Sequence, residues 1–348
     1  MGTYFRKGAV LEKMAAPLTA HLAGASSGAD DLTEEQIQAL TPSDFAVVGM
    51  DVREAENIGY SNYSYWRSTI RMFWKNGMAR FLTISLLLLL LFTVVQPYIP
   101  GQRSSVAIFN YEDGQVMRNL PPDRTFWFGT DAVGHDLWSR IWAGTRTSLF
   151  LAFVVAMSNC LIGITIGIIW GYVRRAEAIL TEVYNIMDNI PRTIILILIS
   201  YIMRPGMSTM ILSMCIVGWL GMARFIRNQI VIIRDRDYNL ASRCLGTGAV
   251  RIMIKNLLPY MVSVIMLQTA LAIPYVISDE VFLTYCGLGM PKAVASLGNL
   301  VEDGRQVMMS PSLRYQLLFP ACVVTFITVA FYLIGNAFSD AADPKNHV

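Results

Sequence analysis

Five ionisable residues stand inside or against long apolar runs: Glu182, Asp188, Arg192, Asp279 and Glu280. A charge left unpaired in hydrocarbon costs several kcal/mol, so each must pair, face protein, or line a cavity. A translocation path through Asp188, Asp279 and Glu280 is one expectation. Asp188 and Arg192, four apart, are also placed to pair along one helix. Residues that break bonds are missing. No Gly-Lys dipeptide occurs, so the lysine-bearing phosphate loop of an ATPase is absent, as is an HExxH pair. His21, His135 and His347 are scattered, and Cys160, Cys215, Cys244, Cys286 and Cys322 stand singly without CxxC spacing. No catalytic residue, metal site or resident cofactor is expected.

A second group is polar and lies between apolar runs: Arg234 to Pro259, RDRDYNLASRCLGTGAVRIMIKNLLP. Asp237 is expected to cap a helix beginning near Tyr238 and running to Leu245, because a carboxylate there accepts the unpaired N–H groups of the first turn. Gly246 and Gly248 permit a sharp turn. A second helical stretch, Ala249 to Leu257, then leads to Pro259, which is tolerated in the first turn of the next span. Two short helices around a glycine elbow result. Ala241, Ser242 and Gly246 leave a shallow surface that a groove on a partner can admit.

These residues need a membrane scaffold to position them. The chain has 348 residues, 54% hydrophobic and 15% charged, with a mean hydropathy of +0.45. It is too apolar for an ordinary soluble domain and too long for a single anchor. Its basic residues form no patch interleaved with aromatics, which argues against nucleic acid as a partner. Runs long enough to cross a bilayer fall near 81–99, 149–173, 179–203, 207–233, 257–286 and 315–338. The fold class is therefore all-α, a polytopic protein with six transmembrane helices. The first run contains six consecutive leucines, Leu86 to Leu91. The third is interrupted by Glu182, Asp188 and Arg192, a conflict that an inward-facing helix resolves.

Arg and Lys cluster at 67–80, 174–175, 224–227 and 234–255, which puts both termini and the 234–259 segment on the cytoplasmic side. The organisation expected is a polar cytoplasmic tail over 1–63, with one short helix at 30–40, then an interfacial helix and first span over 64–99. An extracytoplasmic segment follows over 100–146, then a core of five spans over 147–340 and a cytoplasmic end over 341–348. The first eighty residues show no short apolar core with a cleavage site, so the first span is expected to be the targeting signal. Before it, Trp66, Ile70, Phe73 and Trp74 share a helical face beside Arg67, Arg71 and Lys75, an interfacial pattern. Gly163, Gly167 and Gly171 form a stripe that lets another helix approach closely.

Three ordered motifs carry a family resemblance over about residues 64–344. Ala241-Ser242, Gly246 and Leu258-Pro259 resemble the "EAA" loop of ABC importer membrane subunits, with Leu240 where many members have Glu. Gly129-Thr130-Asp131, Gly134, Asp136, Ser139-Arg140, Gly144, Arg146 and Ser148-Leu149 resemble the GTDxxGxDxxSRxxxGxRxSL signature of the oligopeptide/dipeptide branch, with His135 replacing its common Arg. Glu280, Leu283, Thr284, Gly287-Leu288-Gly289 and Pro291 are similar to that branch's ExxLSFLGLGxxxP, and Asp340 with Asp343-Pro344 resembles its DxxDP ending. The chain is thus identified as similar to the second of two permease subunits in peptide and nickel importers, with a type I ABC importer permease fold.

The resemblance implies a multi-pass subunit of the plasma membrane, paired with a homologous sister permease. Two ABC ATPase subunits beneath would bind ATP and Mg, and an extracytoplasmic solute-binding protein would deliver cargo. Tyr238, Ala241, Ser242, Arg243, Gly246, Leu258 and Pro259 would couple the chain to an ATPase. The cargo expected is an oligopeptide or dipeptide. Nickel complexes and oligosaccharides stay open as alternatives, although few ligands suit nickel. A rival of another class is an ion-driven carrier or channel acting without an ATPase, with the intramembrane carboxylates as ion sites.

Overall fold

The computed structural model describes residues 65–342. The polar tail over 1–63 with its helix at 30–40, His21, His347 and the Asp343-Pro344 pair lie outside the described residues. Within them the chain is helical, with isolated bridges such as Ile108 to His135 in the 100–146 segment.

Helix α1 (Tyr65–Lys75) ends where Asn76 caps α2 (Gly77–Val95), accepting from the backbone N–H groups of Met78 and Ala79. The interfacial pattern is thereby split from the span. Its aromatic face is divided too: Phe73 is buried against Phe338 and Ala341, whereas Ile70 and Trp74 are exposed. Leu87, Leu88 and Leu91 on α2 are open, as a lipid-facing leucine run should be.

Helix α3 (Leu137–Tyr172) and α6 (Met207–Arg234) form the most extensive helix pair. The glycine stripe makes this contact. A Cβ at Gly167 would sit 2.6 Å from Ile226 Cβ and 2.7 Å from the Ala223 carbonyl oxygen, and Gly163 and Gly171 meet α6 equally closely. Between α3 and α6 run α4 (Arg174–Asp188) and α5 (Arg192–Ile202). Among the described residues five helices are long and apolar enough to cross a membrane, and α4 with α5, bent by 80° at their junction, makes a sixth crossing if the pair is one span. The inward-facing helix expected over 179–203 is therefore broken. Pro191 cannot donate a backbone hydrogen bond and pushes Ile190 out of the helical region. The break also removes the expected pairing of Asp188 with Arg192, because the two no longer share a helix.

The 234–259 segment forms α7 (Asp237–Cys244) and α8 (Ala249–Ile252), followed by a π turn over Met253–Leu257 that runs into α9 (Leu258–Tyr285). Two expectations are corrected here. Arg236 is the N-cap and Asp237 is already in the first helical turn, where its charge still favours the helix dipole. The stretch before Pro259 is α-helical only to Ile252. Pro259 occupies the first turn of α9, and Gly246 takes φ +79° while Gly248 remains at −63°. On the opposite side lie α10 (Leu297–Val307) and the start of α11 (Tyr315–Ala342). The apolar core between α3, α5, α6, α9 and α11 includes Leu151, Leu196, Met214, Ile277 and Ile327.

Candidate functional site

The glycine elbow presents an apolar surface. Tyr238, Leu240, Leu245, Val250 and Ile254 are exposed, and Leu245 is 85% accessible. Gly248, Ala249, Val250, Arg251, Ile254 and Lys255 line a shallow recess beside them. Of the seven residues expected to couple, Tyr238, Ala241, Gly246 and Pro259 are exposed. Ser242 turns its hydroxyl back to the Tyr238 carbonyl at 2.9 Å. Leu258 packs inward against the cluster of Ile226, Ile230 and Met261, so it anchors the elbow rather than forming its surface.

The root of the elbow is fixed by bonds that sequence reasoning missed. Buried Asn239 donates to the Ile233 carbonyl at 2.9 Å, and Arg243 donates to the Arg234 carbonyl at 3.1 Å while lying over the Tyr172 ring. Arg234 in turn donates to the Gly171 carbonyl at 2.6 Å and lies 3.5 Å from Glu177. Glu177 accepts from Arg227 at 2.6 Å. Direct contacts thus join α7 to the ends of α3 and α6, and Arg234 and Arg227 extend them to the first turn of α4. No local spacing announces these pairs, since Glu177 and Arg227 are fifty residues apart.

At the outer end the second and third motifs meet. Gly129 and Gly134 both have positive φ, at +78° and +95°, which explains why glycine stands there. Asp131 accepts from the backbone N–H groups of Val133, Gly134 and His135, and its other oxygen faces His135 at 2.9 Å and Arg140 at 3.3 Å. Arg140 reaches across to the Lys292 carbonyl. Asp136 caps α3, accepting from the Ser139 hydroxyl at 2.6 Å. Arg146 ties α3 to the Thr93 carbonyl of α2. Tyr315 and Gln316 hold the 100–146 segment to α11 through the Thr130 carbonyl.

Glu280 is fully buried. Its Oε1 accepts from the Ser148 hydroxyl at 2.8 Å and from the Gly298 N–H at 3.3 Å, while the Leu297 N–H donates to Ser148. A carboxylate at the N-terminus of α10 meets the positive end of the helix dipole. Gly144 makes room, for a Cβ there would sit 3.0 Å from the Ser296 carbonyl carbon. Glu280 therefore braces α10 against α3 and does not occupy the open-path position expected of it.

Asp188 lies 3.7 Å from Arg224 on α6, with both side chains more than half exposed. Asp279 receives a 2.6 Å hydrogen bond from Arg192, the partner wrongly expected for Asp188. Arg192 is 41% exposed and Asp279 20%. Among the described residues no cluster of His, Cys, Asp or Glu is arranged to hold a metal ion.

Comparison with known proteins locates this arrangement. A family model described as "Binding-protein-dependent transport system inner membrane component" matches residues 163–348. The chain is 32% identical over 321 residues to the oligopeptide transport system permease protein AmiD of Streptococcus pneumoniae, covering 91% of this chain and 99% of that protein. It is 34% identical over 294 residues to the dipeptide transport system permease protein DppC of Bacillus subtilis, covering 84% and 90%. Among solved structures, an inward-facing form of the MetNI methionine ABC transporter shares 19% identity with a TM-score of 0.46, covering 58% of this chain and 96% of that one.

Proposed function

The chain belongs to the family of inner membrane components of binding-protein-dependent transport systems, and from that premise we propose that it moves oligopeptides or dipeptides as one half of an ATP-driven importer. A homologous sister permease supplies the other half of the path. Two ATPase subunits bind ATP and Mg on the cytoplasmic side, and an extracytoplasmic solute-binding protein delivers cargo to the 100–146 segment and the α10 region. This subunit is non-catalytic, with both termini cytoplasmic.

The observation that carries the reading is the elbow. Its outward face exposes Tyr238, Leu240, Leu245, Val250 and Ile254 without covering from the described residues, while its root is bonded to α3 and α6 through Arg243 and Arg234. An apolar surface on a rigid lever needs a partner that moves. Closure of the ATPase pair would draw α7 inward, and the Arg234–Glu177 contact would carry that shift to the bent α4–α5 crossing. Asp279, with Arg192, lines the path.

The test is ATP-dependent uptake of a labelled short peptide into vesicles holding the whole assembly, comparing wild type with Gly246→Asp. The expected result is loss of uptake and of peptide-stimulated ATP hydrolysis with assembly intact. Unchanged uptake that needs no ATP would refute the coupling argument.

A further inference from the structure

Arg192 and Asp279 meet at 2.6 Å between α5 and α9. Arg192 is the only Lys, Arg, Asp or Glu on α5, and α9 carries only Asp279 and Glu280. Glu280 is committed inside the protein to Ser148 and Gly298. The pair is therefore the whole charge that these two helices offer to anything passing along them. It is not enclosed, since both side chains keep part of their surface open and Tyr275 and Ser278 beside it on α9 are exposed. Asp279 precedes the outer end of α9 by six residues, a depth of about 9 Å at the helical rise. A half-open ion pair at that depth is costly against acyl chains, which favours a position facing protein or a water-filled path.

We propose that this pair is a charge-exchange site for the two termini of the peptide cargo. The cargo carboxylate takes Arg192 and the cargo ammonium takes Asp279 as the pair opens. The proposal rests on the peptide reading above. Its physical basis is that exchange of partners keeps every charge paired. A zwitterion entering a water-poor path would otherwise lose its hydration for nothing, and the separated side chains would each stand alone. Helix α5 begins at Arg192, so its N-terminus adds partial positive charge on the side where the carboxylate would bind. Termini are common to all peptides, which lets one pair serve cargoes of any side-chain sequence. Until a cargo displaces them the two residues satisfy each other.

The experiment uses vesicles holding the complete importer and one labelled tripeptide in free, N-acetylated and C-amidated forms. Asp279→Asn should lower uptake of the free and amidated forms roughly tenfold, a charge-pairing loss discounted for water access, and leave the acetylated form at its wild-type rate. Arg192→Gln should lower the free and acetylated forms and spare the amidated one. Equal loss across all three forms in both variants would reduce the pair to a brace, or to a contact with the sister subunit, and overturn the proposal. No uptake of any form by wild type would defeat the peptide reading itself, and the proposal with it. Where the delivery protein rejects blocked peptides, a second arm decides. In a chain whose native cysteines are replaced by Ala, Asp279→Cys should regain uptake when an anionic thiol reagent modifies it and not when a cationic one does, and free tripeptide should protect the introduced thiol. A thiol that stays unreactive with and without ATP, or that either reagent rescues equally, would overturn the proposal.

Discussion

Glu280→Ala should loosen the start of α10 and leave the rest of the outer face in place. The carboxylate holds two donors at once, Ser148 directly and the Gly298 N–H, and Ser148 is itself bonded by the Leu297 N–H. A hydrogen bond to a charged group contributes about 1.5–3 kcal/mol, and one pKa-unit equivalent of about 1.4 kcal/mol is a factor of ten. Amide hydrogen exchange at Leu297 and Gly298 should therefore quicken roughly ten- to a hundredfold in the Ala variant, because these amides exchange through local opening of the helix start. Glu280→Gln keeps an oxygen acceptor at the same place and should give a smaller effect. Ser148→Ala combined with Glu280→Ala should cost less than the sum of the two, since each removes the same bond. Additive effects, or a Gln variant as damaging as Ala, would refute the bracing geometry. So would unchanged exchange at both amides.

Other outcomes follow from single contacts. Gly167→Val should lower the yield and heat resistance of the purified assembly, because the new side chain meets Ile226 Cβ and the Ala223 carbonyl at under 3 Å, an overpacking cost of about 1–3 kcal/mol. Gly221→Val on α6 is the control, since nothing lies within 4 Å of a Cβ there. At the elbow, Gly246 at φ +79° has open space around it, so Gly246→Asn should retain ATP-coupled uptake while Gly246→Val loses it through backbone strain. Near the end of α10 the hydrogen bond from Arg305, aided by Gln306, holds the Glu302 carboxyl below the ordinary carboxylate range. Its folded value is depressed, so its stabilisation is present above the ordinary value near ~4.3 and is lost as pH falls through the folded one. Protease resistance of α10 should drop over that acid window in wild type and vary less with pH in Glu302→Gln.

What the sequence disclosed and what it hid divide along the range of the interaction. The glycine stripe on α3, the positive φ at Gly246 and the place of Pro259 all follow from local rules of spacing and backbone freedom, and each stands where those rules put it. Asp237 missed its cap by one residue, an error of register rather than of kind. The charges were harder. Asp188 and Arg192 look like an i,i+4 pair only if the helix between them is continuous, and Pro191 ends it. Each then finds a distant partner, Arg224 and Asp279. Glu280 reads as an intramembrane charge, yet it is held by the Gly298 N–H at the start of α10 and by Ser148, 132 residues away.

That division has a mechanical consequence. A pair formed along one helix moves with that helix and can report nothing about its neighbours. Arg192–Asp279 joins α5 to α9, Asp188–Arg224 joins α4 to α6, and Glu177 joins α4 to α6 through Arg227 and Arg234. These contacts must lengthen or exchange partners if the helices shift against one another, so they are where a change of access has to be felt. Their exposure ranks them for that task. Glu177 is three-quarters covered at the root of the elbow and suits rigid transmission. Asp188 and Arg224 are more than half open and contribute little energy to holding either state. Arg192–Asp279 lies between, close enough to seal and open enough to be displaced by a charged solute. By these exposures a cargo-induced opening should begin at Arg192–Asp279 while Arg227–Glu177 stays closed until the elbow moves. Paired spin labels on α5 and α9, and on α4 and α6, would test that order, and simultaneous separation of both pairs on cargo binding alone would refute it.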